Sequence, residues 1–299
     1  MSRKYANLLC ILIGMIWGGG FIATDTILTQ FSTFPFLLIR FLFAALICGA
    51  FCLIKKKTIS RHALKKGILS GCFLYAAFAA QTLGLPLCGP GINAFLTSVN
   101  VVLVPFISWA ILRHRPQTKA FISSFLCLAG IGLISLSDNA GSMGPGAWYS
   151  LLCAFLFACQ IVSLHGIEDE DPMALNTVQL SVAAILAIPG AILDSSGFTP
   201  ISSLTPAVWL SLFYSVFFAT FLCYQMQTTA QKYTSPSAAS VLMATESLWA
   251  NVFSFLILHE TLSIWAIVGG LFIFGAVVLT EIKLPSSLLP GNRKVPETR

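Results

Sequence analysis

Two polar side chains occupy equivalent positions in two related apolar stretches of the chain. Asn100 lies in the stretch 90–135 and Glu246 in the stretch 236–281, and an offset of 146 residues aligns the stretches without a gap. Identical residues at this offset include Pro90 and Pro236, Ser108 and Ser254, and Ala120 and Ala266. A carboxyl group within a membrane segment is costly and is a functional candidate by default. Glu246 is therefore the first candidate for binding a cation or a proton.

The composition excludes a water-soluble protein. Of the 299 residues, 57% are hydrophobic and 9% are charged, with a mean hydropathy of +0.86, whereas a soluble domain carries about 25% charged residues. So few charges would not cover a surface in contact with water. The nine cysteines are scattered without a Cys-x-x-Cys pair, which is typical of small buried side chains rather than metal ligands. The sequence thus predicts a polytopic protein in a lipid bilayer, with no metal and no cofactor.

Apolar segments long enough to cross a bilayer, about 20 residues each, occur ten times in the sequence. We number them spans 1 to 10, at 6–28, 34–54, 66–86, 91–112, 118–137, 145–165, 174–194, 206–229, 236–258 and 262–282. The connections between them are too short to hold a soluble domain. The predicted fold class is an all-α polytopic membrane protein with ten transmembrane helices.

Lysine and arginine residues are distributed unequally between the two ends of these spans. They cluster before span 1, between spans 2 and 3, between spans 4 and 5, between spans 8 and 9, and after span 10. Cytoplasmic loops carry an excess of Lys and Arg, so we expect both termini on the cytoplasmic side of the cell (cytoplasmic or inner) membrane. The net charge of +6 then reflects topology, and we expect no nucleic acid partner.

The number of spans determines how the two related stretches are oriented. An odd number of spans separates spans 4–5 from spans 9–10, so the two copies cross the membrane in opposite directions. The loop 113–119 is basic, whereas its counterpart holds Glu260 and no Lys or Arg. We therefore predict two inverted five-helix repeats, at 1–137 and 145–282, and a flexible cytoplasmic tail at 283–299. Inverted repeats are characteristic of secondary transporters, whose substrate site lies at the repeat interface near the bilayer midplane.

Short motifs along the chain match a known pattern in their order and spacing. They are Trp17-Gly18-Gly19-Gly20-Phe21 (W-G-x-x-F), Arg40-Phe41, Asn93-Ala94-Phe95-Leu96-Thr97, Val104-Pro105, Glu246, Glu260, Gly270 and Gly275. On these motifs the chain resembles the ten-span, EamA-type members of the drug/metabolite transporter superfamily over nearly its whole length. Two positions depart from the pattern, because Ser247 stands where many members have proline and His259 replaces a glycine.

The resemblance implies a carrier for small organic metabolites, often an exporter of amino acids or related compounds, that does not hydrolyse ATP. It also implies alternating access, in which the two five-span halves rock around a central cavity lined by spans 1, 3, 4, 6, 8 and 9. The partner expected on this basis is a small-molecule substrate, and Glu246 adds a coupling proton as a further candidate.

Polar residues near the middle of spans 4 and 9 are the main site candidates. Glu246 would bind a substrate amine or exchange a coupling proton, or alternatively hold a neighbouring helix by a hydrogen bond. Asn93, Thr97 and Asn100 share one helical face. Their amide and hydroxyl groups would orient a polar substrate, or else form interhelical hydrogen bonds that contribute only about 0.6 kcal/mol each in a membrane bundle.

Other candidates have a structural reading beside the functional one. Gln81 in span 3 and Tyr224 in span 8 are predicted in the cavity wall. Trp17 and Trp249 would line the cavity with aromatic surface or simply pack. Arg40 and Asp25 lie near the outer ends of spans 2 and 1, where a structural ion pair between them is favoured over substrate binding.

Two features are interpreted structurally. The acidic run 168–171 is predicted to be solvated. The small-residue pairs Ala120/Ser124 and Ala266/Gly270 predict close approach of spans 5 and 10, either as scaffold or as the contact of a homodimer.

The competing function classes are weaker. An intramembrane enzyme would need a nucleophile with a base, or a metal cluster, inside the spans, but the four histidines lie at loops or span ends: His62, His114, His165 and His259. The chain has no Gly-x4-Gly-Lys-Ser/Thr motif for ATP. The alternative is a channel or a structural membrane protein, and the favoured prediction is a secondary transporter.

Overall fold

The structure is a computed structural model that describes residues 1–88, 90–113, 115–136, 145–194, 199–258 and 263–282. The described residues are helical, with short connections and no β-strand. The predicted motif residues His259 and Glu260, the histidine His114 and the predicted tail 283–299 lie outside the described residues.

The helices follow the predicted spans. Their bounds are Arg3–Leu28, Thr33–Ile54, Arg61–Cys88, Pro90–Ser98, Asn100–Leu112, Thr118–Leu136, Pro145–Ser163, Pro172–Leu193, Pro206–Phe213, Cys223–Gln231, Pro236–Met243, Glu246–Leu258 and Ile264–Glu281, with a 3-10 turn at Ile201–Ser203 and a π-helix at Tyr214–Leu222. Within the described residues, seven helical stretches are long and apolar enough to cross a membrane, and spans 5 and 10 are shorter apolar helices. The predicted all-α polytopic membrane fold is confirmed.

Side-chain caps explain where several spans begin. The side chains of Asp171, Thr205, Ser235 and Ser263 each accept a hydrogen bond from a backbone N–H in the first turn of the following helix. Three of these caps precede a proline at the first helical position, where the missing N–H has no consequence for the helix. The sequence therefore sets the starting points of spans 7, 8, 9 and 10 locally.

Spans 4 and 9 are each divided into two helices at the same repeat position. The first helices begin at Pro90 and Pro236, and the second ones begin at Asn100 and Glu246 and are both 13 residues long. The 146-residue offset that aligns the sequences therefore also aligns the breaks. Asn100 and Glu246 consequently lie in the first turn of a helix that starts inside the bundle.

The packing of the spans follows a pseudo-twofold pattern. Span 3 packs against spans 6 and 7, and its counterpart span 8 packs against spans 1 and 2; span 4 packs against span 6, and span 9 against span 1. Spans 2 and 7, 4 and 9, and 5 and 10 meet each other. For each of these contacts, replacing both spans by their counterparts five spans away gives another contact in the same set. Because five is odd, the counterparts run in opposite directions, and the inverted repeats are confirmed.

Two four-span bundles result from this packing. We call spans 3, 4, 6 and 7 bundle A, and spans 1, 2, 8 and 9 bundle B. Each bundle takes two spans from each sequence repeat. These bundles differ from the two consecutive five-span halves predicted to rock, because the most extensive contacts of spans 1, 2, 3 and 8 are with spans of the other half. The rocking of the five-span halves stays a prediction.

Spans 5 and 10 cross at two glycines. A Cβ added to Gly130 would lie 2.6 Å from the carbonyl oxygen of Gly269, and a Cβ on Gly269 would meet the carbonyl oxygen of Gly130 in the same way. Ser124 and Ala266 are buried near this crossing. Spans 5 and 10 therefore pack as intramolecular scaffold, and a homodimer contact stays a prediction.

Large aromatic side chains mark both ends of the bundle. Trp148, Trp209 and Trp265 lie within the first turn or so of spans 6, 8 and 10 and are exposed, while exposed Trp109 lies near the opposite end of span 4. Indole rings prefer the two membrane–water interfaces. Their positions fit a bundle whose axis crosses the bilayer.

The acidic run 168–171 is tied to neighbouring loops rather than fully solvated. Lys57 forms an ion pair with Asp171 at 2.9 Å, and His62 Nδ1 lies 3.0 Å from a carboxylate oxygen of Glu170. Lys232 Nζ donates a hydrogen bond of 2.6 Å to the backbone oxygen of Glu170. The prediction of a purely solvated run is therefore wrong for two of its four acids, which connect bundle A to bundle B at the end that carries the N-terminus.

Asp171 combines this ion pair with a capping role. Burial acts to raise its pKa, but hydrogen bonds from Lys57 and from the backbone N–H groups of Ala174 and Met173 outweigh burial and hold the pKa of Asp171 below its usual range. A carboxyl group with a lowered folded-state pKa stabilises the fold above its unfolded-state pKa, and this stabilisation is lost as the pH falls through the folded-state pKa.

Asp171→Asn is expected to lower the thermal stability slightly at about pH 7 and to have a smaller effect at about pH 3. Asparagine keeps the cap, since Asn and Asp are equivalent at this position, so the variant removes only the pairing with Lys57. The change in thermal stability is measured by fluorimetric unfolding of the purified protein at both pH values, with Asp169→Asn as the matched control. An equal loss at both pH values would contradict the ion-pair assignment.

Candidate substrate cavity

A cavity of about 120 Å³ lies between bundles A and B. On the same scale of volume, one water molecule needs about 10–15 Å³. The cavity therefore has room for on the order of ten water-sized groups. Its wall is formed by spans 3, 4 and 6 from bundle A and by spans 1, 2, 8 and 9 from bundle B. The six spans predicted to line a cavity all do so, and span 2 contributes one further side chain.

The structure brings most of the predicted site residues into this one wall. Those that line the cavity are Trp17, Asp25, Arg40, Gln81, Asn93, Thr97, Asn100, Tyr224 and Glu246. Trp249 is not among the lining residues; its ring stacks on Phe253 with centroids 6.2 Å apart and its Cβ lies close to Gly18, which agrees with the packing alternative. Trp249 is therefore a packing residue between spans 9 and 1.

The cavity wall also repeats the internal symmetry. At the 146-residue offset, Phe78 corresponds to Tyr224 and Gln81 corresponds to Gln227, and all four line the cavity. Gln227 was missed by the sequence analysis, although its pairing with Gln81 is a signal that would have found it. Other lining residues that were missed are Thr82, Phe157 and Gln160.

One end of the cavity is closed by apolar side chains. We call this buried cluster the apolar seal; its main members are Ala6, Cys10, Ile13, Val104, Ala158, Val162, Met226, Leu242 and Met243. The seal packs between the cavity and the end of the bundle that carries the N-terminus. In the other direction the cavity reaches Asp25, which is exposed near the far end of span 1. Within the described residues, the cavity therefore extends from the apolar seal toward the end opposite the N-terminus.

Glu246 lies at the inner limit of the cavity. Its backbone is held closely by span 1, since a Cβ added to Gly14 would lie 3.1 Å from the Glu246 nitrogen and one added to Gly18 would lie 2.8 Å from its oxygen. Among the described residues, the Glu246 carboxyl group has no hydrogen-bond or ion-pair partner. The alternative reading, a carboxyl that holds a neighbouring helix by a hydrogen bond, is therefore not what the described residues show.

Two buried amide oxygens share this wall without a hydrogen-bond partner among the described residues, Oδ1 of Asn93 and Oε1 of Gln227. Their nitrogens are already used, because Asn93 Nδ2 donates to Gln81 O (3.1 Å) and Ser150 Oγ (3.0 Å), and Gln227 Nε2 donates to Gln160 Oε1 (3.2 Å). Buried acceptors without partners are costly. Both residues line the cavity, but these two oxygens are themselves buried, so a donor group such as an amine or water would reach them only after a small rearrangement of the wall.

A network of polar side chains holds spans 6, 7 and 8 behind this wall. Gln160 donates to Gln179, Gln179 donates to Asn176, and Thr228 also donates to Asn176, at 3.0–3.3 Å. Asn176 in turn donates to Gln225. Since the members bond to each other and most are fully buried, the network fixes the orientation of Gln160 and, through it, of Gln227.

A π-helix in span 8 shapes the opposite wall. Its wider turns leave the carbonyl oxygen of Ala219 to accept a hydrogen bond of 2.8 Å from Trp17 Nε1. The Trp17 ring in turn lies 5.7 Å from that of Tyr224, centroid to centroid. Segments of π-helix occur frequently at functional sites, and this one sets the position of the aromatic side chains that line the cavity.

The predicted ion pair between Arg40 and Asp25 is not formed. Arg40 instead donates from Nε to Thr220 Oγ1 at 2.6 Å, and its guanidinium carbon lies 4.3 Å from the centroid of the Phe78 ring. Arg40 and Asp25 lie near the same end of spans 2 and 1 but face different directions, because span 2 presents Arg40 to span 8.

Within the part of the chain that the structure describes, no cluster of His, Cys, Asp and Glu could hold a metal ion.

Comparison with known proteins agrees with the repeated architecture. The sequence model of the EamA-like transporter family matches the chain twice, at residues 4–136 and 144–282. The chain belongs to the EamA-like transporter family. An uncharacterized transporter of Archaeoglobus fulgidus is 30% identical over 285 residues, covering 95% of this chain and 88% of the relative.

A solved crystal structure resembles this EamA-like transporter in fold. It superposes with a TM-score of 0.79 and covers 94% of this chain and 97% of that chain, at 16% sequence identity. At that identity the likeness supports the fold alone. The family match and the transporter relative confirm the predicted class: the protein is a multi-pass membrane transporter and not an enzyme.

Proposed function

We propose that this chain is a secondary transporter that carries a small organic metabolite, an amino acid or a related compound, by alternating access. The observation that supports this most is the cavity between bundles A and B, which has the apolar seal at one end and, among the described residues, extends to exposed Asp25 toward the other. A channel would need a path through both ends.

The acceptor oxygens of the cavity support a substrate with an amine. Glu246, Asn93 and Gln227 line the same space with a carboxyl and two amide groups, and Glu246 and Asn100 break the symmetry of the repeat at its centre. Space for on the order of ten water-sized groups matches a small metabolite. Glu246 would bind the substrate amine and exchange it for a coupling proton.

Alternating access would use the pseudo-twofold symmetry. Exchanging the conformations of the two inverted repeats, which we place at 1–137 and 145–282, would open the cavity at the other end and close it near Asp25. The moving units would be bundles A and B. If both termini lie on the cytoplasmic side of a cell (cytoplasmic or inner) membrane, the cavity of this structure would open outward. The family resemblance favours export.

Transport by liposomes that contain the purified protein tests this proposal. Radiolabelled amino acids and their decarboxylated amines are supplied outside, with and without unlabelled compound inside. We expect at least one compound to enter, and its entry to be accelerated several-fold by the unlabelled compound inside, as a carrier requires. Flux without such acceleration would favour a channel, and flux no greater than in empty liposomes for every compound would contradict the proposal.

A further inference from the structure

Arg40 is the cation in the cavity wall, and the proposed function gives it no role. It lies in span 2, about two turns after the helix begins at Thr33, and only 5% of the residue is exposed. All other lysines and arginines lie at span ends, in loops or in the tail. Span 7, the counterpart of span 2, contains no lysine or arginine, so the charge belongs to one copy of the repeat.

Arg40 is held in a fixed orientation. Thr220 uses its own proton to donate to the backbone oxygen of Ser215 at 2.7 Å, five residues back in the π-helix, and so presents a lone pair to Arg40 Nε. Phe78 and Phe36 lie against the guanidinium at 4.3 and 5.9 Å, measured to the ring centroids. Only Nε is used in these contacts, and among the described residues the two Nη groups have no hydrogen-bond partner.

The counter-charge for Arg40 is missing. The carboxyl groups that line the same cavity belong to Asp25 and Glu246, and neither forms an ion pair with Arg40 within the described part of the chain. Tyr224 lies within electrostatic range of both Arg40 and Glu246, and all three side chains line the cavity. A buried guanidinium without an anion is costly in a membrane interior.

We propose that Arg40 binds a carboxylate of the transported substrate and thereby determines specificity. The cavity would then have two ends, with the substrate amine at Glu246, Asn93 and Gln227 and its carboxylate at the Nη groups of Arg40. A planar guanidinium fork matches a carboxylate in a bidentate pair. One arginine fits one negative charge, so the ligand is a zwitterion rather than a phosphate ester. This inference rests on the proposed function and names the substrate group recognised at one end of that site.

Binding of three matched probes to the purified protein tests the inference. The probes are the tightest-binding of the twenty common amino acids, the amine that remains after its decarboxylation, and the acid that remains after its deamination. Arg40→Met is expected to weaken binding of the amino acid at least tenfold, the range of a charge-assisted hydrogen bond, and to change binding of the amine less than twofold. Arg40→Lys should recover part of the loss.

Equal weakening of the amino acid and the amine would show that Arg40 only holds spans 2 and 8 together, and would overturn the proposal. Unchanged binding of the amino acid in Arg40→Met, or no binding of any amino acid to the wild type, would overturn it too. If Arg40→Met does not fold, Thr220→Val is the alternative variant, because it keeps the charge of Arg40 but removes the hydrogen bond that orients it. We expect Thr220→Val to weaken binding of the amino acid a few-fold and to leave binding of the amine unchanged. Transport of amines without amino acids would overturn this inference and leave the proposed function standing.

Discussion

Gly18→Ala is expected to abolish transport and to lower the free energy of unfolding by about 1–3 kcal/mol, the usual range for overpacking. A Cβ on Gly18 would lie 2.8 Å from the backbone oxygen of Glu246, from the backbone nitrogen of Ala250 and from Cβ of Trp249. Two of these atoms are backbone and are unable to rotate away. In the variant, span 1 must therefore move away from span 9 at the helical turn that carries Glu246.

Gly20→Ala is the matched control for Gly18→Ala on the same helix. A Cβ at Gly20 meets only Ala219 Cβ, at 3.8 Å, which is an ordinary contact. Alanine also favours the helix over glycine by about 1 kcal/mol, so we expect equal or slightly higher stability. Because Gly20 lines the cavity, the comparison between the two variants rests on stability. Thermal unfolding in detergent and flux in liposomes measure both variants. Similar behaviour of the two variants would contradict the close approach of spans 1 and 9.

Glu246→Gln is expected to reduce flux of an amine-bearing substrate by at least about thirtyfold and to remove its pH dependence. Glutamine has nearly the same shape, so the fold should persist, but it presents neither a negative charge to an amine nor a site for proton exchange. Losing one member of a buried charge pair costs about 2–5 kcal/mol of binding. The measurement is substrate flux at about pH 6 and about pH 8, with the unfolding midpoint as a check on folding.

Two further variants separate the charge of Glu246 from its size and from acidic residues elsewhere. Glu246→Asp keeps the charge and should retain part of the flux. Glu168→Gln removes an exposed carboxyl group in the loop between spans 6 and 7 and should transport like the wild type. Full transport by Glu246→Gln with unchanged pH dependence would exclude Glu246 as the binding or coupling residue.

The repeat could be predicted from the sequence because both copies keep the same offset at the positions where helices start and break. Pro90 and Pro236 start equivalent helices, and Asn100 and Glu246 start the helices that follow the breaks. An offset of this kind also pairs Gln81 with Gln227, so the second glutamine was predictable. Ten spans, their opposite orientations and most of the cavity wall followed from such positions.

The direction of individual side chains around a helix was less predictable. Trp249 follows the break in span 9 by only one turn, and the break changes which face of the helix meets the cavity. Arg40 was assigned to Asp25 because both lie toward one end of the bundle, whereas Thr220 captures it from a π-helix that no sequence pattern indicated. Such tertiary contacts decide orientation, and they depend on how span 8 winds rather than on spacing along the chain.

The exchange of spans between the repeats was also beyond the sequence analysis. Chain order favours two consecutive halves, yet span 3 buries its surface against spans 6 and 7, and span 8 against spans 1 and 2. Glycines mark these contacts: a Cβ on Gly71 in span 3 would lie 2.6 Å from the backbone oxygen of Gln179 in span 7. Small residues show that helices approach closely, but they do not identify the partner helix.

The π-helix Tyr214–Leu222 occurs in one copy of the repeat, since span 3 runs as α-helix over Arg61–Cys88. In a carrier with identical copies, the two openings would be conformations of equal free energy and would be equally populated in the absence of substrate. Nine residues wound differently in one copy remove that equality. In the proposed mechanism, the winding of span 8 would therefore bias the unloaded protein toward one face of the membrane. Restoring α-helical hydrogen bonding there would shift that preference and would also move Thr220, which holds Arg40.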